Sequence, residues 1–199
     1  MLNNQSYWDD FYKKNNFTKE PSSFAKYVEE RYLHEDKSLL ELGCGNGRDA
    51  IFFSEKGKSV SALDLSSQTI QNLKRVDGQN IQFHNQDFSN LSAFSNFDYV
   101  YSRFTFHAID ENDEKLVLSQ LPMVLKKGGL FFLEARSLKD EKLDKTYGFE
   151  HFRRYLDFKQ TIRKIEKRGF TILEKIESQG LSPYKEEDPF LIRIVAQKA

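Results

Sequence analysis

At 199 residues the chain is long enough for one ordinary domain with a full hydrophobic core, and a second folded domain is not expected. Its 30 basic and 30 acidic residues cancel to a net charge of zero, which removes any bulk attraction to nucleic acid or an anionic membrane and leaves a small molecule as the expected partner. A single cysteine, Cys44, excludes an internal disulfide and a structural zinc site, and no pair of His or acidic residues has metal-ligand spacing, so no metal is expected.

The start, Met1-Leu2-Asn3-Asn4-Gln5, has no basic segment followed by an apolar run, and no window approaches a membrane span, so a cytoplasmic protein is expected. From Gln5 to Lys14 the aromatics Tyr7, Trp8, Phe11 and Tyr12 recur at helical spacing, giving an amphipathic helix that either packs on the core or closes over a ligand with Trp8 and Tyr12. Pro21-Ser22-Ser23 breaks and caps a second helix marked by Phe24, Tyr27, Val28, Tyr32 and Leu33.

Strands and helices then alternate. Strands are predicted at Ser38–Leu42, Val60–Leu65, Ile81–Gln86, Phe97–Ser102 and Leu130–Ala135, with helices at Arg48–Lys56, Ser66–Val76 and Glu111–Leu125, the last halted by Lys126-Lys127-Gly128-Gly129. A helix at Asp157–Arg168 and strands at Phe170–Ile176 and Pro189–Ala196 complete the chain. The alternation predicts an α/β fold with a mostly parallel sheet covered by helices on both faces. The segment Gly180–Asp188 is too short and polar for a crossover helix, so the seventh strand returns antiparallel.

The stretch from Leu39 to Gly47 carries the chemistry: an apolar strand ends in Glu41-Leu42, and Gly43, Gly45 and Gly47 follow at alternate positions before a helix. Glycines there let the backbone approach a nucleotide-like ligand beside free helix N–H groups. A dinucleotide fold spaces its glycines as G-x-G-x-x-G, and here Arg48 stands where the third belongs, which argues against a nicotinamide cofactor. The Glu41-Leu42-Gly43-Cys44-Gly45-Asn46-Gly47 stretch resembles motif I of class I S-adenosylmethionine (SAM) dependent methyltransferases. Its continuation Gly47-Arg48-Asp49 is similar to the small tellurite-resistance-type and surface-glycan-locus members.

That resemblance implies one Rossmann-like domain over 1–199, with an N-terminal helical lid at 1–36 and a core at 37–199. Its seven-stranded sheet has order 3-2-1-4-5-7-6, and SAM becomes S-adenosylhomocysteine at its edge. Spacing places Asp64, about twenty residues past the glycines, on the ribose hydroxyls, with Leu65 beside it; its bland role is a helix cap. By resemblance Asp87 accepts from the adenine amino group with Phe88 lining the ring, Glu41 orients the loop or neighbours the methionyl ammonium, and the Trp8 and Tyr12 segment lies near the active site. Cys44 fills space in the loop. Carbonyls of the Gly43 loop and of Ser102 or Arg103 suit the ammonium, while Arg48 either pairs with the cofactor carboxylate or lies on the outer helix face.

Acceptor residues are expected at the ends of the fourth and fifth strands and in the loops beyond. Arg103 and Arg136 are candidates for holding an anionic acceptor and His107 for its general base, against the plainer reading of ion pairs and a capping histidine. Glu134 is a candidate ion partner of Arg136 or a second base. The loop holding Tyr147, His151, Arg153 and Arg154 adds converging arginines that suit phosphate or carboxylate, or else it opens a solvated basic helix. The expected activity is methyl transfer to a small anionic, phosphate-bearing or sugar-linked metabolite, with O-methylation in a bacterial surface-glycan pathway and no nucleic-acid partner. The alternatives are an RNA methyltransferase working through the basic helix at 157–168 and a SAM-binding module without turnover.

Overall fold

A computed structural model describes residues 9–10, 20–34, 36–74, 80–143 and 153–199. Trp8, Tyr12, Tyr147 and His151 lie outside the described residues. The chain packs as two units, residues 1–90 and 91–199.

In the first unit, Ser22 caps helix α1 (Ser23–Tyr32) by accepting the Ala25 N–H at 3.0 Å. The same serine donates its N–H and its hydroxyl to the two oxygens of Asp49, each at 2.7 Å, which ties α1 to the first turn of α2 (Arg48–Glu55). Three parallel strands follow the expected places: β1 (Ser38–Leu42), β2 (Ser59–Asp64) and β3 (Ile81–Asn85), with Leu42 opposite Leu63 and Asp64 opposite Asn85. Helix α3 (Ser67–Leu73) is capped by Lys74 and ends earlier than its sequence pattern predicts.

The second unit opens with β4 (Phe97–Arg103) and α4 (Glu111–Val124), whose N-cap Asp110 accepts the N–H groups of Asn112 and Asp113. Strand β5 (Leu125–Arg136) begins directly after the helix, so Lys126-Lys127-Gly128-Gly129 is strand rather than a helix-stopping loop. Gly129 explains why: a Cβ there would sit 3.0 Å from the Asp98 carbonyl on β4, a spacing only glycine allows. A short 3₁₀ turn (Leu138–Lys142), α5 (Phe158–Glu166), β6 (Phe170–Ser178) and β7 (Leu191–Lys198) complete the unit, and β7 pairs antiparallel with both β5 and β6.

The strand order is β3-β2-β1-β4-β5-β7-β6, with β7 antiparallel as expected. Burial follows position. Strand β7 is covered along Leu191–Ala196 because it runs between two neighbours, while edge strand β6 alternates covered and exposed residues over its first half.

Candidate functional site

The glycine loop of the first unit is held by one carboxylate. Asp64, the last residue of β2, accepts the Gly45 N–H on Oδ2 at 2.8 Å and the Ser66 N–H on Oδ1 at 2.9 Å, so it joins the loop after β1 to the turn after β2. Gly43, Gly45 and Gly47 all have positive φ, at 73°, 52° and 75°. At Gly47 a second constraint adds to the first, since a Cβ would come within 2.7 Å of Leu73.

Burial pushes the Asp64 carboxyl above its ordinary value, the amides of Ser66 and Gly45 pull it back, and the Asp9 carboxylate raises it further. Asp9 accepts the Ser66 hydroxyl at 2.6 Å and the Gln68 N–H at 3.3 Å, which places Asp9 at the start of α3. A carboxylate offers about four acceptor positions, so each Asp64 oxygen keeps capacity for a hydroxyl donor after binding one amide. That acceptor set fits a ribose.

The other residues expected at the cofactor occupy less committed positions. Glu41 is buried within β1, and Leu65 is half-buried beside Asp64. Cys44 is buried, and burial followed by the charges of Asp64 and Glu41 pushes its thiol well up, so it stays protonated and inert. Arg48 opens α2 with Nε 3.9 Å from Asp49. Asp87 is exposed and accepts the Ser89 N–H at 2.8 Å, a turn-forming bond, and Phe88 next to it is half-buried.

In the second unit the strand ends carry a charge lattice. Glu134, completely buried on β5, accepts Arg103 Nε of β4 at 2.9 Å and Arg193 Nε of β7 at 2.6 Å. The three residues are register partners across β4, β5 and β7, so the pairing follows from the ladder. This corrects the expected Glu134–Arg136 pair: the partners of Glu134 are the arginines of the neighbouring strands, while Arg136 pairs with Asp140 at 2.6 Å and Glu187 at 3.5 Å. Arg154 binds Glu114 and the carbonyls of Phe106 and Ile109. Arg103 and Arg193 also reach the Ser182 hydroxyl and the Leu181 carbonyl, which fastens the loop between β6 and β7 to these strand ends.

His107 is buried, and its Nδ1 accepts the Arg136 backbone N–H at 3.2 Å. The neutral ring therefore carries its proton on Nε2, and the nitrogen that could accept a proton as a general base is engaged by the Arg136 amide. Ser102 is buried and its hydroxyl bonds that of Thr105. Phe104, between them, has φ +58°, its N–H donates to the Glu134 carbonyl at 2.9 Å, and its ring lies 4.1 Å from the Arg103 guanidinium carbon. A cavity of about 240 Å³ opens beside Arg136 and Asp140, with Gln179, Glu187 and Asp188 in its wall.

Sequence reasoning does not single out Asp9, Phe104, Asp140, Glu187 or the double role of Glu134. The register of β4, β5 and β7 would have paired Glu134 correctly, but nothing local marks Phe104. Burial, then the nearby Arg136, lowers the Arg153 pKa, and Arg153 Nε has no hydrogen-bond partner among the described residues. Among the described residues no cluster of His, Cys, Asp or Glu could hold a metal ion, and no helix is long and apolar enough to cross a membrane.

A sheet of this order with a glycine loop after β1 defines the Rossmann-like methyltransferase fold. A TehB-like SAM-dependent methyltransferase from Corynebacterium glutamicum has that fold, matching with a TM-score of 0.70 and 18% identity over 99% of this chain and 97% of its own. The family described as "Methyltransferase domain" matches residues 39–129. An uncharacterized methyltransferase of Schizosaccharomyces pombe is 31% identical over 53% of this chain and 74% of its own length. The cypemycin N-terminal methyltransferase of a Streptomyces species is 36% identical over 50% of this chain, and the match spans 42% of that protein. The chain belongs to the class I SAM-dependent methyltransferases.

Proposed function

We propose that this protein transfers a methyl group from SAM to a small-molecule acceptor at the carboxyl ends of its strands. The observation that carries the reading is the Asp64 carboxylate, buried and fixed by the Gly45 and Ser66 amides at the end of β2. Bound there, SAM supplies a methyl on a positive sulfur with a good leaving group behind it. Asp64 would hold the ribose, the Gly43 loop carbonyls the ammonium and Asp87 the adenine. What remains for the protein is to align the acceptor atom and keep water out, and neither needs a covalent step.

The arginines alone would favour a phosphate-bearing or sugar-linked acceptor. To bind Arg103, Arg136 or Arg154 it would have to compete with Glu134, Asp140 or Glu114, buried carboxylates that hold these guanidinium groups and keep second partners of their own in Arg193, the Phe190 amide and Lys164. A neutral acceptor avoids that competition, and a surface-glycan role rests on the resemblance alone.

The test is a melting comparison followed by turnover. SAM or S-adenosylhomocysteine at a hundredfold over Kd should stabilise the protein by about 2.7 kcal/mol, and NAD should not. Formation of S-adenosylhomocysteine is then followed across neutral, amine and phosphorylated acceptors. Stabilisation by NAD, or none by either SAM species, would sink the reading.

A further inference from the structure

We infer that Phe104 determines acceptor specificity, its ring forming the surface on which a planar, unsaturated group of the acceptor lies; the inference rests on the methyl-transfer reading. Of the four described residues other than glycine with positive φ, Asp36 and Asn96 are types that tolerate it, and Lys185 lies in an exposed loop. Phe104 is a bulky aromatic at +58°, immediately past the last residue of β4, where ligands of open α/β sheets bind. Strained backbone of this kind persists only when its surroundings over-determine it, and it gathers at functional sites.

The surroundings do so here. The Phe104 N–H is held by the Glu134 carbonyl, the Ser102 and Thr105 hydroxyls bond across it, and the Ala108 N–H returns to the Thr105 carbonyl at 2.8 Å. This turn fixes where the ring goes. The Arg103 guanidinium covers it at 4.1 Å and the His107 ring stands 5.3 Å away at 57°, yet the residue is only half-buried. Arg103 is itself immobilised by Glu134 and Ser182, so its charge is already compensated. The end of β4 thus offers an aromatic surface rather than a cationic one, and aromatic pairs prefer planar partners.

The plainer role for Phe104 is to fill the turn. The two are separated by comparing Phe104→Ala, Phe104→Gly and Phe104→Tyr on the full chain, with a phenol or aromatic amine as one acceptor and an aliphatic amine as the other. The specificity role predicts that Phe104→Ala raises KM for the planar acceptor about tenfold. KM for the aliphatic acceptor and the affinity for S-adenosylhomocysteine by calorimetry stay within about twofold. Phe104→Tyr restores the planar KM, and Phe104→Gly melts above Phe104→Ala. Equal losses for both acceptors, a parallel loss of S-adenosylhomocysteine affinity, or wild-type turnover of aliphatic or phosphorylated acceptors alone overturns the inference. Wild-type protein that turns over nothing defeats the methyl-transfer reading instead.

Discussion

In the first unit one carboxylate, Asp64, positions two backbone amides around a loop of three glycines, whereas in the second the strand ends are occupied by ion pairs among Arg103, Glu134, Arg193, Arg136 and Asp140. The first arrangement works through backbone, and its carboxylate keeps acceptor capacity for a ligand. The second works through long side chains whose charges are consumed within the protein. A row of arginines at strand ends is therefore no measure of the charge offered there. What matters is how many buried carboxylates the neighbouring strands supply.

The largest effect should come from removing the carboxylate at the centre of the lattice. Glu134→Ala leaves the Arg103 and Arg193 guanidinium groups without their shared partner in a buried setting, and we expect a loss of about 3–5 kcal/mol by denaturant titration. Glu134→Ala within about 1 kcal/mol of wild type would mean that the lattice is solvated and the arginines are available to an anion after all.

Next is the glycine loop. Gly47→Ala forces a side chain into φ +75° and brings its Cβ within 2.7 Å of Leu73. Backbone strain of about 1 kcal/mol and overpacking of about 1–3 kcal/mol combine, so about 2–4 kcal/mol should be lost. Affinity for S-adenosylhomocysteine should fall with it, because the loop and the start of α2 share that residue. An unchanged affinity would separate the loop from the cofactor.

These two sites also explain what is legible in the sequence. Gly43, Gly45, Gly47 and Asp64 stand out because few physical roles require a glycine at alternate positions after a strand or an acid at the end of the next one. Strands fall within a residue or two of their expected places wherever apolar runs are continuous, as at Ser38–Leu42. The strand start at Leu125 is hidden because Lys126-Lys127-Gly128-Gly129 has the composition of a helix stop, and only the approach of the Asp98 carbonyl accounts for Gly129. Arg136 and Arg154 mislead for a different reason. Glu187 and Glu114 come from distant elements, where no local pattern announces a tertiary ion pair, and Asp140, four residues past Arg136, stands in a 3₁₀ turn that the sequence pattern does not predict.

Asp64 gives a smaller effect with a definite sign. Burial holds its folded pKa above the ordinary value of 3.8, so the folded chain keeps its proton after the unfolded chain has lost it. Its contribution is present below pH 3.8 and is lost as pH rises through the raised folded pKa. Asp64→Asn should cost about 1–2 kcal/mol through one mismatched amide. It should also flatten this decline in stability with pH. Unfolding free energies measured on both proteins from acid to neutral pH decide it, and parallel curves would show that Asp64 ionises freely.

The smallest effect belongs to the pair Lys126–Asp98, on the same two strands as Arg103 and Glu134 but at their other end. Its separation, 2.9 Å, equals that of Arg103 and Glu134, yet the lysine is 47% exposed where Glu134 is fully buried. Water screens the pair, so Lys126→Ala should cost no more than about 0.5 kcal/mol and should respond to salt. Strand pair and distance match, so the contrast with Glu134→Ala sets one exposed pair against a buried carboxylate that holds two guanidinium groups. A loss at Lys126 as large as that at Glu134 would mean that desolvation does not govern these pairs, and the competition invoked against an anionic acceptor would lose its basis in burial.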